Sequence, residues 1–300
     1  MTAARFVVFG EALVDFIREG EDRWRSVPGG SCWNVARAAA RLGIPTGYAG
    51  AVSRDLFGDE HMRLSREAGL DMRFTQQVEK PPFLAMVVSS HPPQYFFLGE
   101  DSADLNFDMA RLPPGWLDGV EVVHFGCISL VREPHAARLV AMAERVHAAG
   151  KRICFDPNYR NLMDESFRPR LAKLAGVADY IKASVEDLGL MFPGAELARG
   201  VAELRRLAPR AQLLITLGGE GMRLITPERE VSQPAFRVEV KDTVGAGDAS
   251  MAAWMASLLT RPAAPPEEHV RLAAATAALV CSRHGAYAPT RAEVDQLLGR

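Results

Sequence analysis

Residues 242–248 read Asp-Thr-Val-Gly-Ala-Gly-Asp, and they lead directly into an apolar run from Ala249 to Leu259. This run is rich in Ala, Leu and Met and contains no Gly or Pro, which predicts a helix. The two glycines before it allow the backbone to approach a ligand closely at the first helical turn. Because a helix N-terminus offers unpaired N–H groups and a positive dipole end, the stretch predicts an anion site.

Asp248 lies inside that first turn. A carboxylate beside a phosphate is unfavourable unless it takes a proton from the hydroxyl that attacks the phosphorus. The stretch therefore predicts Asp248 as a general base, with the N–H groups of Gly245, Ala246 and Gly247 binding the transferring phosphoryl group. The simpler alternative is a glycine-rich turn in which Asp248 only starts a helix.

The heptapeptide resembles the second signature, DTxGAGD, of the PfkB/ribokinase family of carbohydrate kinases. Gly29, Gly30 and Asn34 resemble the first signature of that family, GGxxxNxA, and the resemblance covers nearly the whole chain in order. It implies a three-layer α/β/α fold with a mostly parallel sheet and a small β-sheet lid. It also implies ATP as phosphoryl donor, Mg²⁺ that binds with the ATP, and a site for a monovalent cation such as K⁺.

Composition and charge exclude several classes of protein. The 35 basic and 37 acidic residues give a net charge of −2, which argues against a nucleic-acid-binding or polybasic membrane-surface protein. The N-terminus lacks the pattern of a signal peptide, and no apolar run reaches the ~18 residues of a membrane span. The four cysteines lack zinc-ligand spacing; Cys127 and Cys154 lie in strand-like apolar runs and are expected in the core. We expect a cytoplasmic enzyme with reduced thiols.

Two segments differ from the alternating strand and helix pattern of the rest. Between Met72 and Asp101, two strand-like runs are joined by the turn His91-Pro92-Pro93 with no helix between them, which predicts an antiparallel hairpin. In the family such a hairpin belongs to a lid that covers the sugar and mediates dimerisation, so we expect a homodimer. The expected division is a lid made of 12–27 and 72–101, and a catalytic core made of 1–11, 28–71 and 102–300.

The expected sugar-binding residues lie near the carboxyl ends of strands, where open α/β sheets bind ligands. Asp15 follows the first apolar strand, and a carboxylate accepts hydrogen bonds from two neighbouring hydroxyls. Gly29 and Gly30 would let the sugar ring lie against backbone, and Asn34 offers a donor and an acceptor. Arg160, in a DPNxR run that resembles fructokinases and 2-keto-3-deoxygluconate kinases, offers a planar cation. The structural alternatives are a solvated aspartate, an ordinary helix start and an exposed arginine.

The expected nucleotide-binding residues lie in two loops. Thr216, Gly218 and Gly221 resemble the family's T-x-G-x-x-G loop, whose N–H groups would meet the phosphates together with Gly245 and Gly247.

The resemblance also implies two metal contacts and one more nucleotide contact. Ser184 and Asp187 stand where the family often has Asn-x-x-Glu, which assigns Ser184 to the nucleotide and Asp187 to Mg²⁺ through water. Ser184 is equally an ordinary helix N-cap. Asp242, with carbonyls near Arg283 and Gly285, is expected at the monovalent cation.

Fructose, phosphorylated at its 6-hydroxyl, is the expected substrate. The run from Gly10 to Asp15 resembles the GExLxD opening of fructokinases, and Ala103-Asp104 resembles their AD pair. The main alternative is 2-keto-3-deoxygluconate, whose carboxylate would favour a further cation in the lid. Ribose, adenosine and phosphosugars are the substrates of other relatives. An alternative of another class is a non-catalytic sugar- or nucleotide-binding regulatory protein, against which the intact Asp248 motif argues.

Overall fold

The structure is a computed structural model that describes residues 3–90, 93–160 and 162–299. Its strands are β1 (Phe6–Phe9), β2 (Leu13–Arg18), β3 (Trp24–Gly29), β4 (Thr46–Ala49), β5 (Ala51–Ser53), β6 (Gln76–Val78), β7 (Leu84–Ser90), β8 (Pro93–Leu98), β9 (Val122–Gly126), β10 (Arg152–Asp156), β11 (Tyr180–Ser184), β12 (Gln212–Thr216), β13 (Met222–Ile225) and β14 (Glu230–Gln233). Its α-helices are α1 (Ser31–Arg41), α2 (Leu56–Ala68), α3 (His135–Ala148), α4 (Arg168–Val177), α5 (Val185–Met191), α6 (Leu197–Leu207), α7 (Ala246–Thr260), α8 (Pro266–Cys281) and α9 (Arg291–Leu297).

The main sheet has eight strands in the order β14-β13-β12-β11-β10-β9-β1-β4. Neighbouring strands from β12 to β4 are parallel, and β13 and β14 extend one edge in antiparallel orientation. The central strands are short apolar runs such as Phe6–Phe9, which is buried along its whole length, as strands covered on both faces require. The prediction of a mostly parallel sheet is confirmed, and its carboxyl ends lie along one edge where a site can form.

Helices cover both faces of this sheet. Alternate residues of β1 point to opposite sides, and Phe6 and Val8 pack in a core with α1, α7 and α8. Val7 and Phe9 pack in a second core with α3 and α4. These two cores on either side of one sheet confirm the three-layer α/β/α prediction.

The helix that follows the glycine-rich heptapeptide is α7, and it is buried from Asp248 to Leu259. It packs against both α1 and α8, which explains why it is apolar on every side. Among residues 3–90, 93–160 and 162–299, no helix is both long and apolar enough to cross a membrane.

A second, smaller sheet has the order β3-β2-β7-β8, and we call it the lid sheet. Strands β2 and β3 form one antiparallel pair, β7 and β8 form another, and β2 lies parallel to β7 in the middle. The predicted hairpin is therefore present as β7 and β8, although its predicted turn falls on His91 and Pro92, which lie outside the described residues. Strands β5 and β6 form a separate parallel pair that the sequence did not lead us to expect.

Candidate active site

The first turn of α7 holds Asp248, which is 8% exposed. The hydroxyl of Ser31 donates to its Oδ1 at 2.6 Å, and Asn34 Nδ2 donates to its Oδ2 at 2.9 Å. Ser31 and Asn34 both belong to α1, which begins directly after the paired glycines. The two sequence motifs, separated by 217 positions between Ser31 and Asp248, therefore meet at one carboxylate.

Asp248 is held in an environment that makes it a better proton acceptor than a surface aspartate. Burial raises its pKa above the usual range, and the hydrogen bonds from Ser31 and Asn34 offset this only in part. Asn34 Oδ1 is also buried, and it has no hydrogen-bond partner in the described part of the chain. That oxygen is therefore available to accept a hydrogen bond from a bound hydroxyl.

The three amides predicted to bind the phosphoryl group differ in their own hydrogen bonds. Gly245 is the N-cap of α7 and has a left-handed backbone with φ 79°, a conformation that favours glycine. The amide of Ala246 donates to the carbonyl of Thr243 at 3.2 Å, because the turn closes on itself there. Within the described residues, only the amides of Gly245 and Gly247 among the predicted three lack a protein partner; binding of the phosphoryl group by the three amides stays a prediction.

Asp15 lies within β2 of the lid sheet, opposite Val27 and Ala85, rather than in a loop. The pKa of Asp15 is raised to about 7: burial is the largest cause, the charge of Asp248 adds to it, and the charge of Arg160 opposes both. Two carboxylates and one guanidinium therefore lie close together, at the junction of the lid sheet and the core.

The paired glycines have packing roles that the sequence did not reveal. A Cβ on Gly29 would lie 2.3 Å from Oδ2 of Asp15, so this glycine makes room for that carboxylate. Gly30 has φ 110°, and a Cβ there would lie 2.7 Å from the carbonyl oxygen of Glu11. Contact of either glycine with a sugar stays a prediction.

Arg160 is oriented by the backbone beside it, since its Nη1 donates to the carbonyl of Tyr159 at 2.8 Å. Its charge lowers the pKa of both Asp15 and Asp248. It is therefore not the exposed arginine of the structural alternative, but a partly buried cation beside the candidate base.

Two non-glycine residues near this cation have a positive φ, Cys127 with 57° and Asn158 with 40°. Asn158 Nδ2 donates to the sulfur of Cys127 at 3.4 Å. The prediction that Cys127 lies in a strand was wrong, because β9 ends at Gly126 and Cys127 begins a 3₁₀ turn, although it is buried. Such backbone conformations occur preferentially at functional sites.

The predicted nucleotide loop follows β12, whose last residue, Thr216, lies beside Ser184 in the parallel register. Gly218 has φ 57° and Gly221 has φ 106°, which explains the spacing of the two glycines. The amide of Gly221 donates to the carbonyl of Gly218, whereas those of Gly218 and Gly219 have no partner within the described residues. These two amides are the ones available to a phosphate.

Both carboxylate oxygens of Asp187 accept hydrogen bonds from backbone amides. Its Oδ2 accepts from the amide of Ser184 at 2.8 Å in a reciprocal capping box, and its Oδ1 accepts from the amide of Tyr159 at 2.7 Å. It is 3% exposed, and the described residues hold no group of three or more His, Cys, Asp or Glu side chains that would bind a metal ion. These residues therefore form no resident Mg²⁺ site by themselves, and Mg²⁺ would enter as part of the Mg·ATP substrate; its contact with Asp187 through water stays a prediction.

Asp242 links the loop before α7 to the turn after α8. Its Oδ2 accepts from the amide of Gly285 at 2.8 Å, and its Oδ1 accepts from the amide of Val244 at 3.1 Å. The carboxylate therefore closes the loop that the family resemblance assigns to a monovalent cation. Binding of K⁺ there stays a prediction, which comparison of turnover in K⁺ and Na⁺ buffers would test.

Sequence reasoning missed two polar residues of the site. Ser31 stands at a variable position of the first motif, and only the fold places its hydroxyl on Asp248. Lys182 was overlooked within the run 180–184, although a charged residue in a buried strand is a signal in itself. Its Nζ lies 2.9 Å from Oδ2 of Asp156.

Comparison with known proteins identifies the family of the chain. A family model described as pfkB family carbohydrate kinase matches residues 3–293. A fructokinase of Klebsiella pneumoniae is 31% identical over 257 residues, which cover 84% of this chain and 83% of the relative. A fructokinase of Rhizobium leguminosarum bv. trifolii is 33% identical over 258 residues, which cover 83% of this chain and 78% of the relative.

Solved structures share the fold over the full length. A fructokinase from Xylella fastidiosa with bound ATP superposes with a TM-score of 0.88 at 27% identity and covers 98% of each chain. An aminoimidazole riboside kinase from Salmonella enterica, complexed with aminoimidazole riboside and an ATP analog, has a TM-score of 0.85 at 26% identity, covering 98% of this chain and 99% of that one.

Proposed function

The chain belongs to the pfkB family of carbohydrate kinases, and we propose that it transfers the γ-phosphoryl group of ATP to the 6-hydroxyl of fructose. It is a sugar kinase, a phosphotransferase whose acceptor is an alcohol group. The observation that carries the proposal is the buried carboxylate of Asp248, fixed by Ser31 and Asn34 at the N-terminus of α7.

In the proposed reaction, Asp248 takes the proton of the sugar hydroxyl as its oxygen attacks the γ-phosphorus. The bond between that phosphorus and the oxygen retained by ADP breaks, and a new bond to the sugar oxygen forms. The amides of Gly245 and Gly247 and the dipole of α7 stabilise the negative charge on the transferring group. Mg²⁺, carried by ATP, neutralises phosphate charge.

A neutral sugar suits the charges around the base. The guanidinium of Arg160 already acts on the carboxylates of Asp15 and Asp248, so it is not a spare cation for a substrate carboxylate. Asp15 and Asn34 Oδ1 offer acceptors for sugar hydroxyls. Together with the relatives that are fructokinases, this favours fructose over 2-keto-3-deoxygluconate.

The substrate is tested by sugar-dependent ADP release with Mg·ATP and a panel of fructose, 2-keto-3-deoxygluconate, ribose, aminoimidazole riboside and fructose 6-phosphate. We expect kcat/KM for fructose to exceed that for every other member by more than about tenfold, since sites that hydrogen-bond a substrate reject analogues with misplaced hydroxyls. A higher value for another member would replace fructose as the substrate. If no sugar of the panel causes ADP release, the alternative of a non-catalytic regulatory protein would be favoured.

Binding of fructose is expected to strengthen as the pH rises from 6 to 8. The pKa of Asp15 is raised to about 7, and the ionised carboxylate accepts stronger hydrogen bonds from sugar hydroxyls, on both oxygens, than the protonated group does. Below that pKa the carboxyl group is protonated. We therefore expect the fructose Kd to rise by up to about tenfold for each unit by which the pH falls below the pKa. Calorimetry across this range measures it, with Asp15→Asn as control, which should bind weakly and without this pH dependence. A wild-type Kd that does not change with pH would contradict the role of Asp15.

We also propose that the protein forms a homodimer through the outer face of the lid sheet. Phe96 and Leu98 of β8 are 50% and 48% exposed. Phe96 lies opposite Met86 of β7, and Met86 lies opposite Phe16 of β2. Neighbours across strands share a face. Phe16 on this face already packs edge-to-face against Phe57 of α2, so the exposed apolar surface that a second copy would cover is the one formed by Phe96 and Leu98.

Sedimentation velocity tests this interface. The wild-type protein is expected to be a dimer, and Phe96→Asp is expected to be a monomer, because it would bury a charge in an apolar interface. Leu190→Asp, at an equally exposed leucine on α5, should remain dimeric. A monomeric wild-type protein, or a dimeric Phe96→Asp variant, would rule the interface out.

A further inference from the structure

Lys182 lies on β11, in the interior of the protein, and is 3% exposed. Its Nζ donates to Oδ2 of Asp156 at 2.9 Å and lies 4.0 Å from Oδ2 of Asp187. An ammonium group has three N–H donors, yet in the described part of the chain only the bond to Asp156 has hydrogen-bond length. A buried ammonium with unused donors can donate to a further partner.

The open side of this ammonium faces the glycine-rich turn. A Cβ on Gly247 would lie 3.1 Å from Nζ of Lys182, so the absence of a side chain at Gly247 keeps the ammonium next to the first turn of α7. Gly247 has no positive φ, so its backbone conformation does not require glycine. The reason for glycine at this position is that a side chain would crowd the ammonium group. The next residue along the chain is Asp248, whose charge also acts on Lys182.

The ammonium remains charged in this setting. Burial lowers the pKa of Lys182, but the carboxylates of Asp156 and Asp187 more than offset this, and the net pKa is raised. A positive charge is thus fixed beside Gly247, whose amide is one of the two that have no protein partner within the described residues.

We propose that Lys182 is a catalytic residue whose ammonium donates a hydrogen bond to a non-bridging oxygen of the γ-phosphoryl group during transfer. This inference rests on the proposed function. Lys182 neither gains nor loses a proton, since the hydroxyl proton goes to Asp248 and the electron pair of the broken bond leaves with ADP. Its charge stabilises the negative charge spread over the non-bridging oxygens. Asp156 then acts as a positioning residue that holds the ammonium in place.

The alternative is a structural role, in which Lys182 only neutralises the buried carboxylate of Asp156. Four proteins separate the two roles: wild type, Lys182→Met, Asp156→Asn and the double variant. Lys182→Met alone leaves a buried charge without a partner and is expected to lose thermal stability. The double variant removes both charges, so its melting temperature should return toward that of the wild type.

Turnover of the same proteins on fructose gives the decisive comparison. We expect the double variant to have a kcat about 10²–10³-fold below that of Asp156→Asn, the usual loss for a donor to a transition state, with the KM for fructose little changed. Lys173→Met, at an exposed lysine of α4 that pairs with Glu144 at 3.0 Å, should keep wild-type kcat. A double variant that turns over as fast as Asp156→Asn would overturn the proposal.

Failure of the proposed function gives a different result. If the wild-type protein releases ADP with another sugar of the panel but not with fructose, the substrate is wrong, and the four proteins are compared on that sugar. If the wild-type protein releases ADP with no sugar, the proposed function and the role of Lys182 both fall.

Discussion

Asp248→Asn is expected to lower kcat with fructose by about 10²–10⁴-fold, the usual contribution of a positioned general base. The amide cannot take the hydroxyl proton, and in the rest of the site only the orientation of the Asn34 amide is expected to change. The variant should fold normally, because the Asn34 amide can rotate and present its unpartnered Oδ1 to the new NH₂ group. The hydroxyl of Ser31 still finds an acceptor oxygen.

The measurement is steady-state ADP release, paired with calorimetric binding of ATP to the variant. ATP affinity is expected to stay near the wild-type value, because Asp248 contacts the hydroxyl rather than the nucleotide in the proposed reaction. A kcat within tenfold of wild type, from folded protein, would remove Asp248 from the role of base.

Asp104→Ala is expected to lower the free energy of unfolding by about 3–5 kcal/mol, the usual cost of breaking a buried ion pair by removing one partner. Asp104 and Arg132 have side-chain exposures of 2% and 11%. Arg132 also donates to the carbonyl of Gly99 and to Ser102 Oγ, and its guanidinium lies 3.9 Å from the ring centroid of Phe83. Removing the carboxylate leaves this guanidinium buried without its counter-charge.

Urea unfolding measures this loss. The control is a double variant, Asp104→Leu with Arg132→Met, which replaces the pair by apolar side chains and should recover most of the stability. Exposed ion pairs contribute less than about 1 kcal/mol. If the free energy of unfolding of Asp104→Ala falls by no more than this, the pair does not anchor the loop that follows β8.

Much of the fold was predictable because its determinants are local. The apolar runs of β1, β10 and β12 and the Ala-rich run of α7 each specify an element from neighbouring residues. The capping box that joins Ser184 and Asp187 is equally local, and it explains those two residues without any ligand.

The remainder depended on contacts between distant segments. The parallel pairing of β2 with β7 and of β5 with β6 joins stretches with no sequence signal for each other. The same holds for the ion pair of Lys182 with Asp156 and for Ser31 on Asp248. Gly247 is one example: the motif indicated a close approach of a ligand, and only the structure shows that an ammonium group lies beside the same residue.

The most direct test of the proposed kinase reaction is phosphorus NMR of wild-type protein incubated with Mg·ATP and fructose. We expect ATP to be converted to ADP and fructose 6-phosphate in equal amounts, with no phosphate released to water. Unchanged ATP, free phosphate in place of a sugar phosphate, or phosphate on another hydroxyl of fructose would contradict the assignment.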